Sequence, residues 1–331
     1  MESFRVRNAA PDQQRKMLLA VSFGVSSISL LNILDRHLQT QKTKTGRTGF
    51  SLTLVFVDTS TVENSHIPPD LPGKLQDRFP EYPYTSVGLH DVFSDPRHGT
   101  LQDIAPGLEL TSDASPEKQL ETLFESISTA TGRADVISTL RTRLIVQHAK
   151  AHGCEGVLWG DSTTKLAEKT LSETAKGRGF SLPWQTADGE SPLGMTFNYP
   201  MRDVLKKELV NYAEMLDPPL SSLIDYSTLT APTTVNSKAT TIDSLMQHYF
   251  ESVEENFPSI VSNVVRTTGK LEAHSTSPSQ APCGLCSMPV DDGRFGVHGW
   301  GGDQQDGVAF APGRSARLCY GCTRSAPRLA E

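Results

Sequence analysis

No apolar stretch in this chain approaches the ~18 residues of a membrane span, and the first sixteen residues, MESFRVRNAAPDQQRK, are charged where a secretory signal is apolar. The expectation is a soluble, cytoplasmic protein without a membrane partner. Low complexity is missing too: 25 glycines and 21 prolines in 331 residues, with 37% hydrophobic side chains, exclude collagen and wholesale disorder. Cysteine is scarce, at five, and four of the five stand as two Cys-x-x-Cys pairs. In a chain without a signal sequence that spacing points to a metal rather than to disulfides. Finally the chain lacks basic excess: 31 basic against 38 acidic side chains give a net charge of −7, which taken alone speaks against holding a phosphate backbone.

The distribution of charge changes that reading. Residues 1–50 carry 8 basic and 3 acidic side chains and residues 131–210 carry 11 and 9, whereas residues 51–130 carry 4 and 13. Two segments are therefore free to face an anion. The hydrophobic pattern predicts alternating strands and helices: a strand over Met17 to Val21, a helix striped by Ile28, Leu31, Leu34 and Leu38 and ended by a polar turn from Gln39 to Gly49, and a strand over Leu52 to Val57. Residues 59–112 read as an irregular insertion. Helices are predicted over Pro116 to Ile127, Ala134 to His152, Thr163 to Lys176, Arg202 to Leu216, Ile242 to Glu254 and Pro258 to Val265, with another strand at Gly156 to Trp159. The fold class that follows is α/β, a parallel sheet with helices on both faces. It is expected to fill residues 1–266, with a Ser/Thr/Pro-rich linker over 267–282 and a cysteine module over 283–331.

Four segments could carry chemistry. Ser22 to Ser27, small residues between strand and helix, can bind an anion on helix N–H groups or serve as an ordinary tight turn; the candidates are Ser22, Gly24, Ser26 and Ser27, with Asp58 at the end of the next strand. It is neither a Walker loop nor G-x-G-x-x-G. Gly160, Asp161, Ser162, Thr163 and Lys165 follow a buried strand and can face the same crevice, or simply cap a helix. Lys176-Gly-Arg178-Gly, with Arg202, Lys206 and Lys207 downstream, suits RNA contact but also suits a solvated surface. Cys283, Cys286, Cys319 and Cys322 fit a closed four-thiolate zinc site, although 32 residues between the pairs require the HGWGG stretch to loop out; an iron–sulfur cluster or a redox dithiol pair is the alternative. Cys154 reads as an inert core residue.

SFGVSS after the first strand, VFVD ending the second, GDSTTKLAEKT, KGRG, YPMRDVLKKELVNYA and the closing CGLC…CYGC together resemble the cytoplasmic tRNA 2-thiolation protein 2 family, a degenerate branch of the PP-loop ATPase superfamily. The resemblance implies a PP-loop (adenine nucleotide alpha hydrolase-like) fold. It also implies a subunit that pairs with a catalytic PP-loop partner to 2-thiolate the wobble uridine, 5-methoxycarbonylmethyluridine, of tRNA for Lys, Glu and Gln. Sulfur would come from a thiocarboxylated ubiquitin-related modifier. Superfamily enzymes adenylate uracil with ATP through a Ser-Gly-Gly-x-Asp-Ser loop. Here Phe23 stands for the first Gly and Ser26 for the Asp, and a benzyl group at Phe23 is expected to obstruct pyrophosphate. Gly160 to Lys165 replaces the catalytic paralogue's Gly-His-Asn-Ala-Asp-Asp, and Ser128, Thr129 and Thr131 stand where that paralogue carries cluster or sulfur-handling cysteines. These departures imply a degenerate subunit in which ATP binding is doubtful, no residue is assigned as catalytic, and Arg141, Arg143, Lys165, Lys176, Arg178 and Lys207 are candidates for tRNA or partner contact. The alternative is a self-sufficient ATP-dependent thiolase or other ATP pyrophosphatase. The family also begins with a further cysteine-containing segment, and this sequence starts where that segment would end.

Overall fold

The structure is a computed structural model describing residues 14–63, 66–94, 101–105, 108, 114–226, 240–273, 280–291, 295–296 and 318–326. The HGWGG stretch and the N-terminal start lie outside the described residues.

β1 (Arg15–Ala20) is the centre of a six-stranded sheet. Its successive residues enter two different cores: Leu18 packs on one face, Met17 and Leu19 on the other, as a strand covered on both sides requires. β2 (Phe50–Asp58) and then β3 (Tyr84–Gly88) extend the sheet to one side in parallel, and β4 (Gly156–Trp159) and β6 (Met195–Asn198) extend it to the other, also in parallel. β5 (Gly189–Ser191) adds an antiparallel edge, giving the order β3-β2-β1-β4-β6-β5. Chain direction across the sheet reverses between β1 and β4, the place where open α/β sheets form a crevice beyond the strand ends.

One face carries α1 (Val25–Thr45), α2 (Leu71–Arg78) and, later in the chain, α8 (Lys206–Met215). The other carries α4 (Pro116–Glu125), α5 (Ala130–Ala151), α6 (Thr163–Ala175), α9 (Ile242–Asn256) and α10 (Pro258–Thr268). The short helices α3 (Leu101–Ile104) and α7 (Leu182–Thr186) and the terminal α11 (Tyr320–Ser325) complete the described elements. No helix among the described residues is long and apolar enough to cross a membrane.

Several expectations are corrected. Residues 59–112 are not simply an irregular insertion, since they supply α2 and the parallel strand β3. β3 carries no apolar run because it lies at the sheet edge and none of its five residues is fully buried. α1 continues through the expected polar turn to Thr45, its Thr40, Thr43 and Thr45 hydroxyls donating to carbonyls one turn back, and it stops at Gly46, whose φ of 72° is left-handed. The helix expected from Arg202 starts only at Lys206. The Arg202 and Val204 N–H groups close turns onto the Tyr199 and Met201 carbonyls, and Glu208 accepts from the Leu205 N–H at 2.8 Å to cap the start. The β5–β6 pair has no counterpart in the sequence reading.

The cysteine module, finally, is no free appendage. α10 runs into the expected linker as far as Thr268, and all four paired cysteines, with Leu285, Met288 and Phe295, belong to the same apolar core as α4, α5 and α6. Cys154 is buried, and burial pushes its thiol up from the ordinary range, as befits a core residue.

Candidate functional site

At the end of β1 the chain turns sharply into α1. Phe23 takes φ 57°, an unusual conformation for a bulky residue, and this sends its ring inward: it is 0% exposed and packs edge-on against Phe56 at 5.2 Å and Tyr84 at 6.4 Å. The expected obstruction by its benzyl group is thus corrected, because the ring is core and does not stand in the crevice. The turn is closed by its own side chains instead. The Ser22 N–H donates to Ser27 Oγ (3.2 Å), Ser27 Oγ donates to the Gly24 carbonyl (3.0 Å), the Ser22 and Ser27 hydroxyls lie 3.2 Å apart, and the Gly24 N–H reaches Ser22 Oγ at 3.4 Å. The first turn of α1 holds no acid, Ser26 standing there instead. Asp58, at the top of β2, accepts from the Ser60 N–H at 2.9 Å.

The turn after β4 presses against this one: a Cβ on Gly160 would sit 2.7 Å from Ser27 Cα, so only glycine lets the two turns touch. Beyond it, capping accounts for most of the motif. Ser162 is buried and accepts from the Lys165 N–H at 3.2 Å, while Thr163 Oγ1 donates to the Arg202 carbonyl at 2.7 Å. Thr164 Oγ1 donates to Glu254 at 2.7 Å and accepts from the Lys206 N–H at 3.0 Å, tying α6 to α8 and α9. Lys165 is exposed and pairs with Glu168 at 2.8 Å.

A crevice of about 310 Å³ opens beside this turn, lined by Asp161, Lys165, Trp159 and Arg141 together with Cys286 and Met288 of the cysteine module. Ser22, Gly24, Ser26, Ser27 and Asp58 are not among its lining residues. The two motifs that sequence reasoning placed on one crevice are therefore in contact, but only the second opens onto this cavity.

The solvated-surface alternative for Lys176 and Arg178 is corrected: their exposures are 8% and 2%, and both line the inner wall of this same crevice. Arg178 makes a bidentate pair with Asp135, one bond of which is 2.7 Å, and reaches Glu173 through Nε at 2.7 Å and Nη2 at 2.9 Å. Lys176 Nζ bonds Asp243 at 2.7 Å, Asp135 at 3.3 Å and Glu173 at 3.4 Å. Burial by itself would raise the Glu173 carboxyl, but Arg178 and Lys176 outweigh it and hold it at about 2. Lys176 is likewise raised, because the three carboxylates overcome its desolvation. Asp135 and Glu173 escaped the sequence reading; the one local hint was an acid three residues before Lys176 and five before Arg178.

Arg143 is also buried, and its Nη1 donates to the Gly284 carbonyl at 2.8 Å and the Leu285 carbonyl at 3.1 Å, inside the first cysteine knuckle. Arg141 remains exposed beside the crevice, and Lys207, on α8, is exposed with its Nζ on the Glu254 carbonyl at 2.9 Å. Thr129 caps α5 by accepting from the Gly132 N–H at 3.1 Å, and Thr131 accepts from the Ile242 N–H at 3.4 Å.

The four cysteines do converge. Cys283, Cys286, Cys319 and Cys322 are buried, and their sulfurs all lie within 4.8 Å of one another. A single tetrahedral ion with metal–sulfur bonds of ~2.3 Å sets its sulfurs about 3.8 Å apart, so the four can hold one metal ion. The Cys319 N–H donates to Cys283 Sγ at 3.3 Å, which joins the two pairs.

Comparison with known proteins accords with this architecture. The family described as Cytoplasmic tRNA 2-thiolation protein 2 matches residues 241–298. Proteins of that name are similar over nearly the whole chain: the one from Phaeosphaeria nodorum is 56% identical over 333 residues, covering 99% of this chain and 86% of the relative. The one from Pyrenophora tritici-repentis is 53% identical over 331 residues, with the same 99% and 86%. That of Ajellomyces capsulatus is 38% identical over 335 residues, covering 98% and 91%. Among solved structures, the U34-tRNA thiolase of Methanococcus maripaludis, determined with its 4Fe–4S cluster, superposes with a TM-score of 0.52 at 14% identity, covering 88% of this chain and 83% of that one. That likeness is one of fold, and it bears out the α/β class with its mostly parallel sheet.

Proposed function

The chain belongs to the cytoplasmic tRNA 2-thiolation protein 2 family, and from that premise we propose that it is the non-catalytic partner of a catalytic PP-loop subunit in the cytoplasm. In this reading the pair binds tRNA for Lys, Glu and Gln and 2-thiolates the wobble 5-methoxycarbonylmethyluridine, with sulfur from a thiocarboxylated ubiquitin-related modifier. The observation that carries the non-catalytic role is the Ser22–Ser27 turn. Its Ser22 and Gly24 N–H groups, which a pyrophosphate would need, are taken by serine hydroxyls, and no carboxylate stands in the first turn of α1 to hold a magnesium ion. Both features support the reading in which this chain does not activate ATP.

The metal we assign to Cys283, Cys286, Cys319 and Cys322 is zinc. The sulfur spacing suits one tetrahedral ion, whereas a four-iron cluster binds each thiolate to a different iron and spreads the sulfurs more widely. Zinc there would neutralise the thiolates and fix the module, and no step of the thiolation runs through it. Arg141, Lys165 and Lys207 are the exposed cations left to meet tRNA or the partner.

The test is reconstitution: tRNA thiolation by the catalytic subunit with and without this chain, beside labelled-ATP titration of the chain alone. Thiolation that needs this chain, with no magnesium-dependent ATP binding by the chain itself, is the expected result. Thiolation by the isolated chain would replace this reading with the self-sufficient enzyme.

A further inference from the structure

Two motifs far apart in sequence, Lys176-Gly-Arg178-Gly and Cys319-Tyr-Gly-Cys322, meet face to face. Gly177 has φ 80°, and a Cβ on it would lie 2.5 Å from Cδ1 of the Tyr320 ring. Reciprocally, a Cβ on Gly321 would lie 2.6 Å from Arg178 Cγ and 2.7 Å from the Lys176 carbonyl oxygen. Each glycine leaves room for the other segment, and neither site accommodates a side chain without movement. The second knuckle is thereby seated on a turn whose two cations are locked by Asp135, Glu173 and Asp243.

The first knuckle is held from α5. Arg143, buried, donates to the Gly284 and Leu285 carbonyls, the two residues between Cys283 and Cys286. The two knuckles also touch each other, the Cys319 N–H donating to Cys283 Sγ at 3.3 Å. Cys286 and Met288 then form part of the crevice wall on which Arg141 and Lys165 stand.

We infer that Arg143 and the Lys176–Arg178 turn are positioning elements of the metal centre, each holding one Cys-x-x-Cys knuckle in the geometry the ion requires, and that the ion in return fixes the wall of the crevice. Outer-shell partners of this kind typically change metal affinity 10–100-fold when removed, and coupling of metal to the turn must be reciprocal by thermodynamic linkage. The inference rests on the reading of the cysteines as a zinc site.

The experiment measures zinc affinity of the full chain by competition with a chromophoric chelator. Arg143→Met and Gly177→Ala are expected to weaken zinc about 10–100-fold. Arg143→Lys, which keeps the charge without the planar fork, restores only part of the loss, and Arg141→Met, one turn face away, leaves affinity unchanged. Hydrogen exchange on the wild-type chain provides a measurement that needs no variant. On zinc removal the Gly177 and Arg178 amides, bonded to the Thr174 and Glu173 carbonyls, are expected to lose protection. Wild-type affinity retained in both Arg143→Met and Gly177→Ala, or unchanged exchange at those amides in stripped protein, overturns the inference. A wild-type chain that binds no zinc overturns the zinc assignment itself, so the two failures are distinguishable.

Discussion

The turn at Ser22–Ser27 and the turn at Lys176–Arg178 are satisfied in different ways. The first closes on itself, with hydroxyls filling local N–H groups and Phe23 folded into the core beneath. The second combines the nearby Glu173 with remote partners: Asp135 from α5, Asp243 from α9 and the Tyr320–Gly321 knuckle. A self-closed turn keeps its shape without a ligand or a docked segment. A turn satisfied from outside cannot be changed without disturbing everything docked on it.

The sharpest way to break this contrast is Arg178→Met. It strands Asp135 and Glu173 as buried carboxylates without their main partner, and should destabilise the fold by about 3–5 kcal/mol, read from chemical denaturation, while also lowering zinc affinity. Phe23→Ala removes a ring that is 0% exposed and should cost about 3–5 kcal/mol as well, yet leave zinc affinity intact; a loss of zinc there would erase the distinction between the two turns.

A smaller effect follows from acid titration. The Glu173 carboxyl is held at about 2, below its ordinary 4.5. Its stabilising contribution is therefore complete above pH 4.5 and is lost as pH falls from there toward 2. Denaturation midpoints across that window should drop, and Glu173→Gln should flatten the drop. Smallest of all on stability is Arg141→Ala, an exposed change expected to stay within about 0.5 kcal/mol. Its effect is on RNA instead: if Arg141 meets a tRNA phosphate, binding by the two-subunit complex weakens and the slope of log affinity against log salt falls by about 1.

Much of the α/β order was legible, because β1, β2 and β4 are short continuous apolar runs and α1 and α5 repeat their apolar residues at helical spacing. β3 was not, since an edge strand of half-buried residues carries no such pattern. At the site, the Cys-x-x-Cys pairs announced a metal because ligand spacing within a knuckle is a local property. The partners of Arg143 and Arg178 were not legible for the opposite reason: a basic residue has the same local sequence whether water, RNA, backbone carbonyls or buried carboxylates surround it.

By itself, then, the sequence determined the alternation of strands and helices and the two cysteine pairs whose spacing suits a metal ion. Only the tertiary structure decided that Phe23 points inward, that Lys176 and Arg178 pair with Asp135, Glu173 and Asp243 on the crevice wall, and that Arg143 grips the first knuckle. The physical reason is one of range. Helical and strand periodicity, capping and ligand spacing act within a few residues, whereas burial and charge pairing are set by segments that meet only when the chain has folded.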